Sequence, residues 1–217
     1  LFAEPISVSG GVTGDGFSPA APMTGAAPVP DPLAADLNPP PLPPGACTTI
    51  DVSGNSNYTL DPGLYCEISA TSNTNIFLNP GVYYIEGPGG LSVSGNANID
   101  GDGVTIYLGE NAAGVTMSGN SDIDITAPTS GAYAGLLLYM DPANNSSISI
   151  TGNGAWNGSG TMYAAGSAMD LSGNAGVSTF NSMIIARVII LGGNSDVIIN
   201  YDSGQNFRPV RAVSLVH

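Results

Sequence analysis

The chain is 217 residues long and 42% apolar, enough to bury a core as one large β domain or two small ones. Only 9% of it is charged, with seventeen carboxylates against three arginines (Arg187, Arg208 and Arg211) and no lysine, a formal charge of −14. That surplus repels phosphate backbones and anionic lipid, which excludes nucleic-acid binding and electrostatic membrane docking, and the missing lysine excludes Schiff-base and P-loop chemistry. One histidine, His217, and two cysteines cannot assemble a zinc or haem site. No apolar run reaches the roughly 18 residues a bilayer span needs, so no membrane span is expected in this chain. The sequence starts at Leu1 without a methionine or a basic-then-apolar leader, and is read as the mature or excised part of a longer product. Its bias toward Gly, Asn, Ser and Thr over charge suits an exported, extracellular protein at a bacterial cell surface.

Residues 1–46 come first, and residues 1–44 within them hold eleven of the seventeen prolines, ending in Asn38-Pro-Pro-Pro-Leu-Pro-Pro-Gly45. Proline lacks the N–H donor and fixes φ, so the stretch predicts an extended arm and neither helix nor central strand. Inside the arm, Ile6-Ser-Val8-Ser-Gly10-Gly11-Val12 resembles a partial copy of a repeat whose first full copy is centred on Asn55, 44 residues after Gly11. Residues 5–14 are therefore a candidate donor strand for an open β edge, most usefully that of a neighbouring subunit.

From Cys47 to the end, residues 47–217 carry that repeat, centred on Asn55, Asn73, Asn96, Asn120, Asn153, Asn174 and Asn194, at spacings of 18, 23, 24, 33, 21 and 20. Each copy is an apolar residue, two small turn-formers, Asn, a small residue, a small or Asn/Asp residue, then an apolar residue, as in Met117-Ser-Gly-Asn120-Ser-Asp-Ile123. Short alternating β-formers such as Val104-Thr-Ile-Tyr-Leu108 lie between the turns, with no helical period. About 20 residues of strand and corner is one coil of a parallel β-helix, so the fold expected is all-β, a right-handed solenoid of about seven coils. Stacked coils would place the asparagines in one nearly enclosed ladder of side-chain amides. The interval of 33 marks an excursion, assigned to Asp141–Ser147.

Cys47 lies eight residues before Asn55 and Cys66 seven before Asn73, so the two cysteines share nearly one column, one coil apart. Coil spacing near 5 Å fits a disulfide, which would pin the first coil; two free buried thiols are the alternative.

Several phrases are shared with a known family. They are the proline-rich lead into a cysteine, Leu60-Asp-Pro-Gly-Leu-Tyr65 with Leu78-Asn-Pro-Gly-Val-Tyr83, Gly89-Gly-Leu-Ser-Val-Ser-Gly-Asn-Ala97, Ala127-Pro-Thr-Ser-Gly-Ala-Tyr-Ala-Gly-Leu-Leu137 and Arg211-Ala-Val-Ser-Leu-Val216. In this order they resemble the C-terminal repeat region of TadG-like proteins, bacterial envelope proteins linked to the Tad (tight adherence) Flp pilus system, over about residues 30–217. The resemblance implies an exported, pilus-associated or surface-structural role and carries over no catalytic residue.

Candidate chemistry is sparse. Asp100 and Asp124 each lie four residues after a ladder asparagine and should stack, with Asp102 and Asp122 nearby, as a Ca²⁺ site, an acid and base pair, or simply a solvated acidic face. A polysaccharide lyase would need a basic residue, and none falls between residues 1 and 186, so no enzyme is expected and no cofactor beyond that Ca²⁺. Tyr83, Tyr84, Tyr107, Tyr139 and Tyr163 form either a sugar-stacking stripe or half-buried strand positions. The leading expectation is a structural subunit of an extracellular pilus or filament that self-associates through open coil edges and the N-terminal strand. Its alternatives are a monomeric carbohydrate-binding adhesin and a polysaccharide-active β-helix enzyme.

Overall fold

A computed structural model describes residues 7, 9, 11, 12, 21–173, 178–194 and 197–209. The chain divides into two units, Leu1–Leu37 and Asn38–His217. In the first, the described residues hold an isolated parallel bridge between Ser7 and Met23. They also hold a turn closed by Leu37 N–H donating to Leu33 O (2.9 Å), with Asp31 Oδ1 accepting from Leu33 N–H (2.9 Å). Of the candidate donor strand, Ile6, Val8 and Gly10 lie outside the described residues, while Gly11 is exposed and Val12 half-buried, neither in a strand.

The second unit is all-β, with no helix among the described residues. Its first half holds β1 (Thr48–Val52), β2 (Asn57–Leu60), β3 (Gly63–Ala70), β4 (Asn75–Leu78), β5 (Gly81–Val93), β6 (Asn98–Gly101), β7 (Val104–Leu108) and β8 (Val115–Met117). Its second half holds β9 (Asp122–Thr126), β10 (Leu136–Met140), β11 (Ile148–Ile150), β12 (Trp156–Ser159), β13 (Thr161–Leu171), β14 (Ser178–Asn181), β15 (Ile184–Leu191) and β16 (Val197–Ile199). All sixteen pair in parallel, in one sheet of nine strands and one of seven ordered β2-β4-β6-β9-β12-β14-β16. The chain passes from one sheet to the other as it winds, with β7 and β8, and β10 and β11, following one another in the larger sheet, an architecture of the β-solenoid type.

The larger sheet forms two faces. In β5, Gly81–Ile85 pairs with β7 whereas Leu91–Val93 pairs with β8, and β13 likewise pairs through Thr161–Tyr163 with β10 and through Met169–Leu171 with β11. The long strands thus bend through a corner in mid-course, and the coil has three sides. At that corner the register slips beside Cys66 in β3. A Cβ on Gly114 there would collide with the Ser147 carbonyl oxygen, so only glycine fits.

Inward positions are filled by aliphatic and aromatic side chains, among them Ile76, Ile99, Ile123 and Trp156, all 1% exposed or less and stacked in one column by the register of β4, β6, β9 and β12. The excursion assigned to Asp141–Ser147 lies elsewhere. β9 and β10 are separated by residues 127–135, where β6 and β7 are separated only by Asp102 and Gly103. Asp141–Ser147 instead occupies the same corner as Gly109–Gly114 in the previous coil. Buried Asn144 plugs it, its Nδ2 donating to Gly109 O (2.7 Å) and Ala112 O (2.9 Å).

Candidate functional site

Three sets of side chains on the second unit stand out: the ladders at the asparagine corner, a carboxylate and amide face, and the C-terminal edge. At the corner, the residue before each ladder asparagine takes a left-handed backbone, with φ of 98° at Gly54, 77° at Gly95, 80° at Gly119, 89° at Gly152 and 73° at Gly193. Ser72 does the same at 65°, the one non-glycine to do so among the described residues. This turn sends the asparagine outward and the next residue inward: Thr74, Ala97 and Ser121 are fully buried. The hydroxyls of Thr74 and Ser121 close on Thr71 O and Ser118 O, both at 2.8 Å.

Asparagine side chains stack as amides. Asn73 Nδ2 donates to Asn55 Oδ1 (2.7 Å), Asn96 to Asn73 (2.8 Å), Asn120 to Asn96 (3.0 Å) and Asn153 to Asn120 (3.1 Å). Asn194 keeps the backbone geometry, its N–H donating to Gly173 O (3.0 Å); Asn174 lies outside the described residues. The nearly enclosed column expected from sequence is not what forms: these amides are exposed, and what the corner encloses after Asn73, Asn96, Asn120 and Asn153 is the small residue that follows. Exposed bonds contribute about 1 kcal/mol net, so Asn120→Ala should lower stability by about 1–2 kcal/mol in a urea titration, less than an enclosed ladder would give.

A second ladder runs two residues on. Asn75 Nδ2 donates to Asn57 Oδ1 (2.9 Å) and Asn98 Nδ2 to Asn75 Oδ1 (3.0 Å). Asn98 Oδ1 then accepts from Asp122 N–H (3.2 Å) and Asp122 Oδ1 from Ala155 N–H (2.8 Å). The signal for it was present in the repeated Asn-x-Asn/Asp phrase. Cys47 and Cys66 form a disulfide with Cα atoms 5.0 Å apart, tying β1 to the bend of β3.

Asp100 and Asp124 are register partners on β6 and β9, on the outward side of the seven-stranded sheet. Burial first, then Asp124 and Asp122, raises the Asp100 carboxyl above its ordinary 3.8, and burial followed by Asp141 raises Glu86 above 4.5. Among the described residues no group of three or more acidic, His or Cys side chains is placed to hold a metal ion. Because both carboxyls hold their protons more tightly folded than unfolded, folding takes up protons just above the ordinary carboxylate range. Their contribution is fully present below it and lost as pH rises through the raised values. Melting temperature should therefore be higher at mildly acid pH than at pH 7, and Asp100→Asn should raise the pH 7 value and flatten the profile.

Tyr84, Tyr107, Tyr139 and Tyr163 follow one another along the sheet with ring centroids 5.1–5.7 Å apart, the last three stacked and Tyr84 tilted 54° to Tyr107. Tyr107, Tyr139 and Tyr163 are buried, and burial followed by Glu86 and Asp141 pushes the Tyr107 phenol up to about 12. Tyr83 points into the core, its hydroxyl donating to Leu60 O (2.7 Å) and Asn79 O (2.8 Å). Only Tyr84 of the five is partly exposed.

The C-terminal edge exposes a cluster of apolar side chains. Among the described residues β15 pairs only with β13, and β16 only with β14. Val188, Ile189, Ile190, Leu191, Ile198 and Ile199 are each 41–46% exposed. The phrase Arg211–Val216 lies outside the described residues. Compared with known proteins, the chain matches no family model, no curated protein and no solved structure.

Proposed function

We propose that this chain is a structural subunit of a bacterial extracellular pilus or filament, a right-handed β-helix of about seven coils whose copies join end to end. One observation carries the reading: the last described coil ends in strands with a neighbour on one side only, and their apolar side chains are uncovered. An open parallel edge of this kind offers both unpaired backbone groups and apolar area to another chain. At the other end of the same sheets, β1 and β2 are edge strands too, with Thr48, Thr49, Asp51 and Tyr58 exposed. Opposite charges lie on the two edges: exposed Arg187 is on β15 and exposed Asp51 is on β1. The resemblance to TadG-like envelope proteins supports the bacterial surface as the setting.

Sedimentation velocity and negative-stain microscopy across a concentration series test this. The wild type should grow into linear oligomers, and Ile189→Glu with Ile199→Glu should hold it monomeric while leaving the fold intact. A wild type that stays monomeric at its highest soluble concentration, or a double variant that polymerises equally, overturns the reading.

A further inference from the structure

Besides its ends, the second unit carries a trough on the outward side of the seven-stranded sheet, lined by small residues and by hydroxyl, amide and carboxylate side chains. A cleft of about 540 Å³ lies between the Thr126–Thr129 turn, Gly135 and the Gly204–Arg208 loop. It adjoins a depression of about 430 Å³ lined by Asp124, Asn157, Thr179 and Asn181, and Thr126, Ser159 and Gln205 line both.

The loop that walls the trough is fixed from below. Asn206, 5% exposed, accepts at Oδ1 from Met183 N–H (2.6 Å) and Thr161 Oγ1 (3.3 Å) and donates from Nδ2 to Asp202 O (2.7 Å). Phe207 N–H donates to Thr161 Oγ1 (2.9 Å), and Arg208 Nε to Ser203 O (2.7 Å). The groups on this wall are therefore preorganised, which lowers the entropy a ligand must lose. On the floor, β9 and β12 set Asp124 beside Asn157, and β9, β12 and β14 set Thr126, Ser159 and Asn181 in one row. Neighbouring strands bring these groups about 4.8 Å apart.

The lining selects its ligand by chemistry. Carboxylate, amide and hydroxyl groups, able to accept from and donate to vicinal hydroxyls, are interspersed with Ala127, Pro128, Ala134 and glycines, and one guanidinium, Arg208, joins them. No aromatic or large aliphatic side chain lines it, which does not suit a lipid or an apolar peptide, and the surplus negative charge of the chain repels polyanions. We propose that the trough binds a neutral oligosaccharide chain laid across β9, β12 and β14, with Asp124, Asn157, Asn181 and Gln205 as the recognising side chains. This site is separate from the tyrosine column and from the C-terminal edge strands.

Saturation-transfer NMR and calorimetry on the full chain test it, using neutral hexasaccharides of glucose, mannose, galactose and N-acetylglucosamine, with polygalacturonate as the anionic comparison. At least one neutral probe should bind with Kd on the order of 0.1–1 mM. Asp124→Ala and Asn181→Ala should each weaken it at least ten-fold with unchanged circular dichroism. Gln205→Ala, on an exposed loop position, serves if either floor variant misfolds. Absence of binding to all four neutral probes, preference for polygalacturonate, or equal affinity in the folded variants overturns the proposal. Since the variants leave the C-terminal edge untouched, their sedimentation should match the wild type, which keeps this test separate from that of end-to-end assembly.

Discussion

Trp156→Ala should lower stability by about 3–5 kcal/mol, measured by urea titration followed by circular dichroism. Trp156 is fully buried, with its ring 6.3 Å from that of Phe180, and its register partner on β9 is Ile123, also fully buried. Truncation removes the largest side chain of the interior at a level where coils above and below are tied by parallel ladders, so little collapse can fill the gap. The indole N–H has no hydrogen-bond partner in the structure. Trp156→Phe should therefore cost much less than Trp156→Ala, since it removes that orphan donor together with some of the packing. Equal losses in the two variants would show that ring volume is not what the site requires. Trp156 is the chain's one tryptophan, so the wild type should also show blue-shifted emission that moves red on unfolding.

Reducing Cys47–Cys66 should cost about 3 kcal/mol, the size expected for a loop of this length in the chain-entropy account. The bond joins residues 19 apart and holds β1, an edge strand with exposed Thr48, Thr49 and Asp51, against the bend of β3. Thermal melts with and without reductant, compared with Cys47→Ser/Cys66→Ser, measure the effect. A double variant that melts with the oxidised wild type would show that β1 is held by its ladder alone.

Much of this architecture could be read from particular residues. The asparagine interval is a coil length, because identical positions one coil apart must meet, and the cysteine offsets come from the same period. The bends of β3 and β13 could not be read so. In β13 the inward set passes from Met162 and Ala164 to Met169 and Leu171, and the parity changes where the register slips. Alternation alone does not say where a strand bends, and Gly166 in β13 and Gly87-Pro88-Gly89 in β5 are the residue-level marks that it does. The direction of the ladder was also hidden. An asparagine on the outer side of a corner and one on the inner side have the same sequence signature, and the left-handed glycine before it decides between them. The trough depends on Asn206 being held by Thr161 and Met183, contacts 45 and 23 residues apart that no local pattern encodes.

The stapled first coil has a consequence for how the molecule comes apart. In a stack of parallel coils each layer is held by the layers beside it, and a layer with one neighbour opens first. The disulfide closes that route at β1, whereas β15 and β16 have no such tie among the described residues. Opening should thus travel one way, peeling from the C-terminal coils toward the N-terminal ones. Backbone amides should then exchange with deuterium in a graded order, fastest in β15 and β16 and slowest around β3 and β5, so that the chain behaves as a zipper locked at one end.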